Sequence, residues 1–161
     1  MRTATSLSIA AAVVLLASRG GAAQVARPEM CGRWQGAADI AVNWTKARTV
    51  SVAIAITPDD RVTGMIGEAA LVDAHLLATR GWLGRTLRVK TDYMIEGRLD
   101  GPIIRAEHLV RSEITMPLDW TGTEFTGSIA TNGTKTGDAE TMAFSAKIRL
   151  HRAPDMVVCA R

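Results

Sequence analysis

Several absences narrow the class of this 161-residue chain. The longest apolar run, Leu7 to Ala17, falls well short of the roughly 18 to 20 residues a membrane-spanning helix needs, and no later run is longer. A stable membrane anchor is therefore not expected. The arginines are scattered singly, so there is no basic stripe of the kind nucleic acid requires. The formal charge of +3 points the same way, because it includes Arg2 and Arg19 while every acid lies beyond Ala23. The chain has no His-x-His, no His-Glu-x-x-His and no pair of neighbouring cysteines, so neither a metal nor a cofactor is expected. Gly127 to Lys135 is a poor phosphate loop, since the spacing is off by one and Lys does not follow the second Gly. Asn132-Gly133 within it is turn chemistry. No Ser or Cys nucleophile has an assignable base, and no carboxylates pair for acid/base work, so the expectation is binding rather than catalysis.

The first 23 residues have the order of an export signal. Arg2 supplies the basic start, Leu7 to Ala17 the apolar centre, and Gly21-Ala22-Ala23 the small residues before a cut at Gln24. The protein is then exported, periplasmic or extracellular, and residues 24–30 form a short flexible lead-in to one domain over 31–161. The only two cysteines, Cys31 and Cys159, stand at the two ends of that domain, in a compartment where disulfides persist. A bond between them is expected, and it would hold the first and last strands within about 7 Å. Two unpaired buried thiols, or one cysteine cross-linked to another molecule, are the other reading.

Alternation with a period of two dominates the remainder. Val50, Val52, Ile54 and Ile56 alternate with small or polar residues, Thr57-Pro58-Asp59-Asp60 turns the chain, and Val62, Gly64 and Ile66 return. Further inward rows are Leu87 and Val89; Tyr93, Ile95, Gly97 and Leu99; Ile104, Ala106, His108 and Val110; Ile114, Met116, Leu118 and Trp120; Phe125, Gly127 and Ile129; and Met142 through Leu150. Trp34 to Ile40 supplies a first strand. Residues 68–80 fit a strand or a short helix, with the strand preferred. Ala53 to Gly67 and Thr115 to Thr131 repeat one hairpin, through Val-Thr-Gly-Met-Ile and Phe-Thr-Gly-Ser-Ile. The predicted fold is an all-β antiparallel meander of about 8 to 10 strands closed into a small barrel, a solution that removes exposed edges. A β-sandwich is the alternative.

Gly32-Arg33-Trp34 resembles the Gly-x-Trp signature of lipocalin-like and avidin-like barrels, and Thr91-Asp92-Tyr93 is similar to the second lipocalin motif, with Glu96 where a second Tyr is usual. The resemblance implies a structural role for Trp34 as a plug at one barrel end. It also implies a basic residue from the last strand packed over that Trp, for which Lys147 and Arg149 are the candidates, and an interior suited to a small apolar ligand.

Two binding hypotheses follow. A ligand-holding barrel would use inward residues such as His108, Trp120 and Phe144, although a hydrogen-bonded core histidine is the ordinary reading of His108. A protein-binding or inhibitor module would instead use the loop Gly81-Trp82-Leu83-Gly84-Arg85, where Trp82 beside Arg85 has hot-spot chemistry, unless Trp82 folds inward as a lid. Asp73 and His75 share a face if 69–78 is a strand, but two ligands do not make a metal site. A filled interior would separate the two hypotheses.

Overall fold

The computed structural model describes residues 26–42, 45–79, 90–104, 109–135 and 141–154. Eight strands follow in order: β1 (Gly32–Ile40), β2 (Thr49–Ile56), β3 (Arg61–Ile66), β4 (Ala69–Ala78), β5 (Tyr93–Asp100), β6 (Leu109–Trp120), β7 (Glu124–Lys135) and β8 (Thr141–Arg152). Each pairs antiparallel with its sequence neighbour, and β8 pairs back onto β1, so the sheet closes into a barrel rather than opening into a sandwich.

Alternation decides which face each residue takes. Val50, Val52, Ile54 and Ile56 point inward and are buried, whereas Thr49, Ser51 and Ala53 point outward. The same parity buries Met116, Leu118, Phe125, Ile129, Phe144 and Leu150. A path of paired residues from Ile40 through Ala146, Ile129, Met116, Ile95 and Leu76 returns to β1 about ten residues nearer the amino terminus, beside Met30. The strands are thus strongly tilted, and eight of them enclose an interior only wide enough for side chains or one small ligand.

Four inward glycines make that narrowness feasible, one midway along each odd-numbered strand. A Cβ on Gly36 would collide with the Arg149 carbonyl, on Gly64 with that of Ala53, and on Gly127 with that of Pro117; on Gly97 it would meet the Ala74 Cβ at 2.6 Å. Each obstacle belongs to the strand that precedes in the barrel. Gly64 and Gly127, the matching positions of the internal repeat, therefore share one role: each lets its strand turn a corner against its neighbour. Opposite Gly97, β4 carries a bulge in which Val72 and Asp73 together face Thr63, and Asp73 takes a φ of 51°.

The structure corrects some of the predicted elements. Residues 69–78 form a strand, as preferred. Val110 and Ile114 to Trp120 belong to a single strand, β6, interrupted by a register shift between Val110 and Glu113. One unpaired step in that ladder breaks the alternation, which is why the sequence read there as two strands. Ile103, not Ile104, is the buried residue before β6. The row at Leu87 and Val89 lies outside the described residues, as do Ala106 and His108.

Candidate functional site

The densest set of specific contacts lies at the barrel end marked by Trp34. There the segment before β1 is not a loose lead-in from Ala26 onward: Met30 N–H donates to the Arg27 carbonyl at 2.8 Å, and Ala26, Met30 and Cys31 are buried. Trp34 Nε1 donates to the Met30 carbonyl at 2.7 Å, and its ring meets Phe125 edge to face, with centroids 4.7 Å apart. Asp60, at φ 64° in the β2–β3 turn, accepts the Ala26 N–H at 2.5 Å. An aspartate tolerates that left-handed backbone better than most residues do. The Arg27 guanidinium lies 5.6 Å from the centre of the Trp120 ring. The segment is thus tied to β1, β6 and the β2–β3 turn, and it stoppers the barrel.

Arg152, the last residue of β8, completes the stopper. Its guanidinium stands 4.5 Å from the centre of the Trp34 ring and donates to the carbonyls of Cys31, at 2.9 Å, and Glu29. The basic residue over the Trp is therefore Arg152, not Lys147 or Arg149. Parity explains the correction, because Lys147 and Arg149 fall on the exposed outer face of β8. No sequence motif marked Arg152. The signal that finds it is the register, which places it directly across from Trp34.

The candidate ligand contacts are not brought together. Trp120 is half-buried at the stoppered end, packed against the core, and its Nε1 has no hydrogen-bond partner among the described residues. Phe144 is fully buried, paired across from Thr131. The pairing Trp120–Phe125–Leu150 sets Trp120 level with Leu150, roughly 20 Å along β8 from Phe144. His108, Trp82, Arg85 and Cys159 lie outside the described residues. Thr79 and Asp92 meet at the stoppered end, where the Thr79 N–H donates to the Asp92 carbonyl at 3.0 Å. Cys31 is buried beside the start of β1.

Asp73 and His75 do share the outer face of β4, across a shallow groove also lined by Arg61. Arg98 holds the Asp73 carboxylate in an ion pair. Nearby, Asp59 titrates below its ordinary value because the Thr57 hydroxyl donates to it at 2.6 Å, helped by Arg61 at 3.1 Å and by His75. Among the described residues no group of three His, Cys, Asp or Glu is placed to hold a metal ion.

Comparison with known proteins adds no relative: no family, no curated protein and no solved structure matches the chain.

Proposed function

We propose that the mature chain is an exported binding module built on a solid barrel, which meets its partner with its surface and end connections and performs no catalysis. The close packing of the described inward residues carries this reading. Trp34, Met116, Leu118, Phe125, Ile129, Phe144 and Leu150 are each 1% exposed or less, whereas side chains around a ligand-sized void would carry accessible surface. An eight-strand barrel is the size at which the interior is either filled by side chains or holds one small ligand, and the burial of the described inward residues favours the first. Trp82 beside Arg85 in sequence supplies hot-spot contact chemistry for such a partner.

A small apolar ligand is the second reading. It is favoured by Val50 and Leu71, inward residues that are 8% and 7% exposed, and it would seat the ligand at the end away from Trp34, toward Phe144.

Mass spectrometry of the mature chain, purified without refolding, tests both readings. The expected species begins at Gln24, carries no small-molecule adduct, and is about 2 Da light for a Cys31 to Cys159 disulfide. Five residues separate Ala153, whose N–H bonds the Arg33 carbonyl at 2.9 Å, from Cys159, a tether long enough to reach Cys31. A retained ligand, or micromolar binding of an apolar dye, would overturn the solid-barrel reading.

A further inference from the structure

The outer face of β8 carries three side chains that the stopper does not use. Lys147, Arg149 and His151 point outward in succession while Ile148 and Leu150 point in. On either side of this strand the barrel turns a glycine corner, at Gly36 on β1 and Gly127 on β7, which are paired with Leu150 and Ile148. The corners leave a trough of about 570 Å³ on the outside, whose lining includes these glycines, Ile148, the three basic side chains and one carboxylate, Asp39, at the Lys147 end. That volume lies within the range of small-molecule sites.

The charges in the trough are poorly compensated. His151 stands 3.6 Å from Glu124, and Asp39 lies across from Lys147 in the register. Arg149, between them, is flanked by Ala37 on one side and Thr126 on the other. Among the described residues no carboxylate forms an ion pair with Lys147 or Arg149. Two unpaired like charges thus rise side by side from backbone positions roughly 7 Å apart, the repeat of alternate strand residues. The mature chain as a whole is near neutral, so this concentration of one sign is local.

We propose that this trough binds a soluble small molecule carrying two negative groups, of the diphosphate class, with Arg149 and Lys147 each engaging one group. Arg149 supplies a planar fork that matches phosphate oxygens, and Lys147 supplies a point charge beside it. The small flanking residues Ala37 and Thr126 leave room above the Arg149 side chain. This site is separate from the barrel ends and does not depend on the function proposed above.

Titration of the mature chain with inorganic pyrophosphate at low ionic strength, followed by amide chemical shifts, is the test. The expected result is saturable shifts centred on β8 between Lys147 and His151, weakening as salt is raised. Arg149→Met should weaken binding at least tenfold and Lys147→Met severalfold. Thr126→Glu keeps both cations but sets a carboxylate beside Arg149, and it should abolish binding while the near-ultraviolet signal of Trp34 is unchanged. No saturable shift, shifts centred elsewhere, or an affinity indifferent to Arg149→Met and Thr126→Glu would overturn the proposal. So would Arg149-dependent binding to vesicles containing anionic phospholipid, or to an acidic polypeptide, without binding to pyrophosphate.

Discussion

The two faces of β8 put the same kind of side chain to opposite uses. Arg152, at the inner end, spends its donors on the carbonyls of Cys31 and Glu29 and its flat face on Trp34. Arg149, three residues earlier and outside, has no carboxylate partner among the described residues. Neither residue differs from the other in chemistry. Only the register separates them, since it sets Arg152 across from Trp34 and Arg149 across from Ala37. A cation in this barrel is a structural part where the strand delivers it to a stopper rich in carbonyl groups, and a recognition group where it is left on the wall.

The sharpest break in that comparison comes from removing what Arg152 covers. Trp34→Ala should cost roughly 3 to 5 kcal/mol in denaturant unfolding, because it empties a fully buried site and leaves the Met30 carbonyl and the Arg152 guanidinium without their partner. A smaller loss would mean that the stopper closes the barrel without it.

Next in size is the matched pair Arg152→Met and Arg149→Met. Methionine keeps the length of the side chain and removes the charge. At Arg152 the change removes two charge-assisted hydrogen bonds and a cation–π contact, about 2 to 3 kcal/mol. At Arg149 stability should stay within about 0.5 kcal/mol of the parent, as for an exposed side chain without partners. Equal losses at the two positions would erase the distinction between the faces.

How much of this was legible in the sequence depended on how far each signal reached. Alternation is a local signal, and it gave the inward rows of β2, β3, β5, β7 and β8, because a half-buried strand must place apolar residues at every second position. It misread β6, where the bulge after Val110 breaks the period. The repeated Thr-Gly at residues 63–64 and 126–127 was visible as a hairpin, and its use as a corner emerged once the neighbouring carbonyls of Ala53 and Pro117 were in place. The partner of Trp34 depends on a pairing between residues 118 positions apart, which no local pattern encodes. The trough on β8 depends on two such corners flanking one strand. Trp120 and Phe144 looked equivalent as inward aromatics, yet the length of β8 keeps them far apart.

The smallest effect expected lies in the β2–β3 turn, where the same contrast recurs between two adjacent aspartates. Asp60 accepts the Ala26 N–H and belongs to the stopper, whereas Asp59 is fully exposed and is held by its own turn. The Thr57 hydroxyl is the first cause of the lowered Asp59 pKa, with Arg61 and His75 adding to it. A carboxylate whose pKa is lower folded than unfolded adds stability that is fully present above the unfolded value and is lost as pH falls through the folded value. The window for Asp59 therefore lies below its ordinary value of 3.8. In Thr57→Val the Asp59 carboxyl, followed by its carbon chemical shift, should titrate closer to 3.8, and the acid limb of the unfolding curve should flatten slightly. Because Asp59 is in water, this change should be far smaller than the loss on removing Trp34. An unchanged Asp59 titration in Thr57→Val would transfer the shift to the Asp59 backbone N–H, with Arg61 and His75 behind it, and take the hydroxyl out of the account.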